Sequence, residues 1–279
     1  MNRKLLRVLE LGVAAVLLVS LVMVLRTQME YAQSASSYEE AADMARLPKF
    51  VPAPAAKQQK DHKEEDEAAA SDPNLILMAE MDLDELTRIN PDVQGWITIP
   101  DTVLSYPLLQ GKDNNFYLKH SWTKSSSING AVFMDYRSHA DMTDFNTIIY
   151  GHRMRDGSMF DSLRAYEAQA HWETHPSVYL LCAGGVYRYD IFAAYEAKAD
   201  ITGPVYSLSY QSEEDKQAFI DSCLEQSLIE SGIVPALSDR ILTLSTCPDR
   251  GYATRWVVQA VLAEFYARDG GASGLDTAQ

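Results

Sequence analysis

The uncharged run LGVAAVLLVSLVMVL, Leu11 to Leu25, constrains this chain more than any other stretch. A helix of about 20 mostly apolar residues spans a bilayer. Extended back to Leu5, the segment reaches that length if Arg7 snorkels to the interface and Glu10 sits near the headgroups. Arg3, Lys4 and Arg7 precede the run, so the positive-inside rule keeps the N-terminus cytoplasmic and sends everything after Arg26 outside. The alternative is a cleaved signal peptide, since YAQSAS from Tyr31 offers small residues in the right region. The length of the apolar run favours the retained, single-pass anchor, and in either case the remainder is exported.

Composition then narrows what the exported part can do. Of 279 residues 47% are hydrophobic, enough for a real core. The formal net charge of −15 argues against a nucleic-acid partner, because binding phosphate backbones requires clustered Lys and Arg. From Tyr31 to about Asp72, Ala, Ser, Gln, Pro and mixed charge predominate, as in LPKFVPAPAAKQQKDHKEEDEAAASDP. No apolar face holds such a segment against a core. It reads as a spacer, and KEEDE as solvated charge in preference to a metal or partner site.

Order is expected from Leu75, where Leu75, Met78, Leu83, Leu86 and Ile89 recur at helical intervals until Asn90-Pro91. Beyond it come GWITIP, VLSYPLLQ, NGAVFMDY, NTIIYGH, SVYLLC, VYRYDIFAAYEA, RILTLSTC and TRWVVQAVLAEF. These are short β-branched or aromatic runs bounded by Gly, Pro, Asn and Asp. Helical patterns interrupt them at Met159 to Ala170 and at Glu213 to Glu230. The second has Ser212 as N-cap and Phe219, Ile220, Cys223, Leu224, Ser227 and Leu228 on one face. Eight strands with few crossover helices predict a mainly-β fold: a mostly antiparallel, closed eight-stranded barrel with an N-terminal helix and loop helices, preceded by the transmembrane helix. The expected boundaries are a cytoplasmic N-terminus 1–4, an anchor 5–27, a flexible tether 28–74, a barrel domain 75–268 and a disordered tail 269–279.

Three cysteines in an exported chain leave at least one without an internal disulfide partner. Cys182 in VYLLCAG and Cys223 on a helical apolar face read as small buried hydrophobes. Cys247 differs. Alternation in RILTLSTC puts Leu242, Leu244 and Thr246 on one face and Thr243, Ser245 and Cys247 on the other. Pro248 and Gly251 end the strand there, which predicts a rim position meeting solvent. A free thiol is mostly protonated at neutral pH, so a cysteine nucleophile wants a nearby cation or base. Arg255 opens the next strand, with Val257, Gln259 and Val261 on its face, and His152 follows NTIIYG at a glycine exit. Spacing alone does not bring His152 to Cys247, and a packed cysteine with an incidental histidine remains the alternative.

No metal or cofactor signal competes. HWETH sets His171 and His175 at i and i+4, but its glutamate is misplaced for H-E-x-x-H, and Pro176 follows at once. The other histidines are scattered and the cysteines lack C-x-x-C spacing. Neither a Walker A loop nor a G-x-G-x-x-G fingerprint occurs.

Taken together, TLSTC ending in Cys247, NTIIYGHRMRDGSMFDSL and YATRWVV resemble the nucleophile, histidine and arginine strands of the sortases, membrane-anchored cysteine transpeptidases of Gram-positive bacteria. The resemblance runs from about Ile89, with NPDVQGWITIP, to about Phe265. GHRMRDGSMF and the helix before the nucleophile strand are most similar to class B, which implies an eight-stranded barrel with an N-terminal helical extension. There is no acidic cluster of the kind some class A members use for calcium, and no pilin-type lid. The resemblance implies that Cys247 attacks a threonine carbonyl in the C-terminal sorting signal of a surface protein. An amine of a cell-wall precursor (lipid II) or of a protein lysine then resolves the thioester. It assigns His152 to acid–base work and Arg255 to the oxyanion or substrate carbonyls, without a cofactor. It also suggests Ser245 as a substrate contact; Asp249 matches an acidic position after the cysteine in some class B members and reads as a solvated turn carboxylate. A pilin-polymerising sortase, a secreted cysteine peptidase and a non-catalytic exported barrel are the alternatives.

Overall fold

The computed structural model describes residues 3–54, 72–198, 200, 203–247 and 254–268. Compactness divides the chain at residues 40 and 41. The helix α1 runs Arg3–Met44, and its stretch from Glu10 is long and apolar enough to cross a membrane. The composition placed a tether from residue 28, but Thr27 to Met44 contains no Gly or Pro to stop the helix, so it continues. The second unit also begins before the expected residue 75. Ala41 and Ala45 are fully buried, and the Asn74 side chain clasps the backbone of Val51 through its N–H and carbonyl, each at 2.9 Å.

Eight strands close a barrel: β1 (Val93–Thr98), β2 (Ser105–Leu109), β3 (Phe133–Met134), β4 (Asn146–Gly151), β5 (Ser177–Cys182), β6 (Gly185–Lys198), β7 (Ile241–Thr246) and β8 (Thr254–Ala267). Their order around the barrel is β1-β2-β3-β4-β7-β8-β6-β5. Two of the pairings are parallel, β2 with β3 and β4 with β7; the others are antiparallel. β4, β5 and β7 are buried along their whole length, because one face lines the barrel and the other lies under loops and helices. The long β6–β8 pair has register shifts at Arg188/Tyr189 and Ile191/Ala193, irregularities that bend strands and let a sheet curl shut. Trp96, Phe133, Tyr179, Tyr189 and Phe192 fill the core.

The helices are shorter than their periodicity suggested. The pattern from Leu75 to Ile89 splits into α2 (Pro73–Ala79) and α3 (Asp84–Ile89). Asp82 accepts the Asp84 N–H at 3.0 Å, a local turn that starts a new helix instead of continuing one. The segment expected to be helical over Met159 to Ala170 is a 3-10 helix, Phe160–Glu167, followed by α4 (Gln169–Thr174). The last helix, α5 (Glu213–Gln226), has Ser212 as its N-cap, as expected, but stops before Glu230. Ser227 turns the chain by pairing its hydroxyl with the Ile229 backbone, and this leaves Leu228 57% exposed in place of its expected buried position.

One ionic cluster ties α2 to the barrel. Asp72 caps α2 by accepting the Asn74 N–H and also takes a hydrogen bond from Tyr179. Arg188 on β6 lies within 3.2 Å of both Asp72 and Asp190 and 3.0 Å of Glu264. Burial pushes the Asp190 carboxyl up, and Arg188 and Ser177 only partly offset that. Removing the cation takes the counter-charge from two buried carboxylates, Asp72 and Asp190. Arg188→Met is therefore expected to destabilise the barrel by roughly 3–5 kcal/mol, read by denaturant unfolding; unchanged stability would show that the cluster is not a fastening.

Candidate functional site

β4 and β7 lie side by side in parallel register, from Asn146 opposite Ile241 to Gly151 opposite Thr246. The Cys247 N–H donates to the Gly151 carbonyl at 2.8 Å, carrying the ladder one step further. His152 and Cys247 thus leave adjoining strand ends at matched positions. Partners in a parallel pair point to the same side and side chains alternate along each strand, so Tyr150, His152, Ser245 and Cys247 share one face. On the other flank, Ser245 is opposite Val257 of β8, which puts Arg255 on that face too. The four residues singled out in the sequence thus share one sheet face. Asp249 lies outside the described residues.

Cys247 is only 5% exposed, so the expected solvent-meeting rim thiol is corrected to a buried one. Burial pushes this thiol up to about 12, with the Arg255 guanidinium pulling the other way. At neutral pH the resting residue is a protonated thiol. Cys182 and Cys223 are free and buried, and burial pushes both up to about 12, as suits packed cysteines.

Arg255 is buried as well, with its guanidinium carbon 5.1 Å from the Tyr206 ring centroid. Its Nε has no hydrogen-bond partner among the described residues. A buried guanidinium N–H without an acceptor is costly, and a carbonyl or oxyanion of a bound molecule would relieve it. The Tyr206 hydroxyl is 3.0 Å from Ser245 Oγ, so one phenol links the serine and the arginine. Tyr206 belongs to the loop after β6, in a 3-10 turn Pro204–Tyr206. Sequence reasoning missed it: GPVYSL gives only a Gly-Pro loop signal, and nothing sets this tyrosine apart from the other fourteen. The loop is fastened from beneath. Asn146 Nδ2 donates to the Ser207 carbonyl at 3.1 Å, and Thr243 Oγ1 donates to Asn146 Oδ1 at 2.7 Å.

Tyr150 stacks beside Tyr206, with centroids 6.4 Å apart, and its hydroxyl donates to Asp135 at 3.1 Å. Burial disfavours the Asp135 charge, but hydrogen bonds from Arg137 and Asn114 outweigh it and hold the carboxyl below its usual range. On the loop that carries Tyr206, a cavity of about 570 Å³ opens between Tyr206, Ser207, Tyr210, Asp215 and Phe219.

His152 is half-buried, and its Nε2 lies 2.6 Å from the Leu118 carbonyl oxygen. The ring edge rests on Gly130, whose φ is +57°; a Cβ there would sit 2.5 Å from the Tyr117 carbonyl and 2.9 Å from His152 Cδ2. Glycine is required on both counts. His171 and His175 stack at 4.3 Å, and burial, with His175 nearby, pushes His171 down. Among the described residues, no group of three or more His, Cys, Asp or Glu could hold a metal ion.

A family profile for the sortase domain matches residues 97–263. Sortase B of Listeria monocytogenes serovar 1/2a is 37% identical over 183 residues, covering 65% of this chain and 74% of that protein. Sortase B of Staphylococcus aureus is 36% identical over 166 residues, covering 60% and 67% respectively. The solved Staphylococcus aureus sortase B–substrate complex aligns with a TM-score of 0.68 at 29% identity, over 85% of this chain and 99% of that one. Sortase B from B. anthracis in complex with AAEK1 aligns at 0.67 and 28% identity with the same coverage. The profile spans more than half of the sequence and the barrel is that of solved sortases B, so this chain belongs to the sortase family of cysteine transpeptidases and is most similar to its class B members.

Proposed function

We propose that the chain is a membrane-anchored class B sortase that cleaves a C-terminal sorting signal after threonine and transfers the upstream protein to an amine. The observation that carries this reading is the shared sheet face of Cys247, His152 and Arg255, with a buried guanidinium N–H that lacks an acceptor among the described residues. In the first step the Cys247 sulfur bonds to the threonine carbonyl carbon while the thiol proton passes to His152. The carbonyl oxygen gains charge, which Arg255 stabilises with its fixed donor fork. His152 returns the proton to the departing amine as the C–N bond breaks, leaving a thioester. An incoming amine then attacks that thioester, gives its proton to His152, and expels the cysteine sulfur, which is reprotonated. Ser245, held by Tyr206, contacts the substrate backbone.

The acceptor is proposed to be the amine of a cell-wall precursor such as lipid II, with a protein lysine, as in pilus assembly, as the alternative. A sortase B solved in complex with triglycine, and the Staphylococcus aureus enzyme solved with substrate, support a peptide donor and an acceptor of this kind. The apolar helix α1 supports a single-pass anchor, N-terminus inside and barrel outside, at the surface of a Gram-positive cell. Partners are then surface proteins bearing sorting signals, with the membrane itself as the point of attachment.

The chemistry is open to two direct tests. The full chain in detergent is expected to cleave a threonine-containing sorting peptide and join it to an added amine, and Cys247→Ala to abolish both steps. Hydrolysis without aminolysis would instead identify a cysteine peptidase, and normal turnover by the variant would remove the thioacyl mechanism. Because burial holds the thiol far above its ordinary range, alkylation of Cys247 by iodoacetamide should accelerate with each pH unit well past pH 9. Arg255 opposes that shift, so Arg255→Met should slow alkylation at every pH below about 12, and lower kcat by roughly 100-fold or more. An alkylation rate that levels off near pH 7 would contradict the buried, protonated resting thiol.

A further inference from the structure

The NPD of Asn90-Pro91-Asp92 lies at the end of α3, and the reaction proposed above gives it no part. Asn90 is fully buried, and its side chain makes three hydrogen bonds. Its Oδ1 accepts the Asp92 N–H at 3.0 Å, a local turn. Its Nδ2 reaches much further along the chain, donating to the Tyr117 hydroxyl at 3.0 Å and to the Trp122 carbonyl at 2.6 Å. Asp92 completes the clasp, accepting from the Tyr117 hydroxyl at 2.7 Å and pairing with Lys124 at 2.9 Å. Residues 117 to 124 are thus stapled at both ends to Asn90 and Asp92.

Between the staples sits Leu118, whose carbonyl meets His152 Nε2 at 2.6 Å. A carbonyl oxygen only accepts, so Nε2 carries the hydrogen and the neutral ring keeps its lone pair on Nδ1. The same loop supplies the second restraint on the ring. The Tyr117 carbonyl accepts the Ala131 N–H at 2.9 Å, which seats Gly130 against the imidazole edge. Nothing in the local geometry of α3 requires Asn90 to reach 27 and 32 residues ahead; the loop that carries Leu118 does require it.

We propose that Asn90 and Asp92 are positioning residues for His152: they clamp the loop 117–124 so that the Leu118 carbonyl fixes the Nε2–H tautomer and leaves Nδ1 as the nitrogen that exchanges protons with substrate and thiol. This rests on the transpeptidase reading for what Nδ1 then does, but the tautomer itself is independent of it. Misplacement of a catalytic group by about 1 Å costs up to about 100-fold in rate, so the clamp acts on kcat, with KM nearly unchanged.

The test uses the full chain in detergent, labelled with ¹⁵N-histidine, with the His152 resonances assigned by their loss in His152→Gln. Wild type is expected to show the neutral Nε2–H tautomer. Asn90→Asp removes both long-range donors, and Tyr117→Phe removes the hydroxyl shared by Asn90 and Asp92 while keeping the ring. Each variant that retains a cooperative unfolding transition should show mixed tautomers and a kcat lower by roughly 10-fold to 100-fold, with KM within about twofold. An Nδ1–H tautomer in wild type overturns the proposal. So does a folded Tyr117→Phe chain with either unchanged kcat or a lowered kcat and unchanged tautomer. A tautomer that responds as expected in a chain that never turns over a sorting peptide upholds the positioning and overturns the transpeptidase reading.

Discussion

The parallel pairing of β4 with β7 is the constraint on which the rest depends. Nearly a hundred residues separate Gly151 from Thr246, yet six consecutive register partners hold the two strands so that both end at the same level. A slip of one residue would turn Cys247 to the opposite side of the sheet from His152, because side chains alternate. The antiparallel β7–β8 pair adds Arg255 in the same way, two residues before Val257. The site is therefore a product of strand register, and in the proposed reaction the barrel closure that fixes register matters as much as the three side chains.

Electrostatics gives that geometry its character. A cysteine nucleophile needs its thiolate, yet here the resting sulfur is buried and held protonated, and Arg255 only partly compensates. In the proposed reaction the activation of such a thiol waits until substrate and His152 are in place. Around it, uncharged and charged groups share a single network: Ser245 to Tyr206, Tyr206 beneath Arg255, and Tyr150 alongside, with Asp135 fixed by Arg137 at the far end. The same logic, a buried polar group held by several partners, fastens Asp72 to Arg188.

Much of this was legible in the sequence because it depends on local pattern. Strand-length apolar runs gave the eight strands, the face of Cys247 followed from period-two alternation, and Ser212 announced α5. What escaped depends on contacts between distant residues. Alternation in RILTLSTC described the faces of one strand but said nothing of what covers them, so the burial of Cys247 was missed. Helical periodicity over Leu75 to Ile89 could not register the turn made by Asp82, and a tether read from composition missed Asn74 seizing the backbone at Val51. Tyr206 was invisible because its importance comes from what it stands between, and Asn90 because its partners lie 27 and 32 residues away.

The most direct measurement is intact-protein mass spectrometry of the full chain, quenched in acid after brief exposure to a threonine-containing sorting peptide without an amine. A register-built thiol site predicts a single adduct equal to the upstream peptide acyl group, mapped to Cys247 and discharged when an amine is added before the quench. An adduct on another residue, or peptide cleavage with no covalent intermediate on any cysteine, would contradict the account.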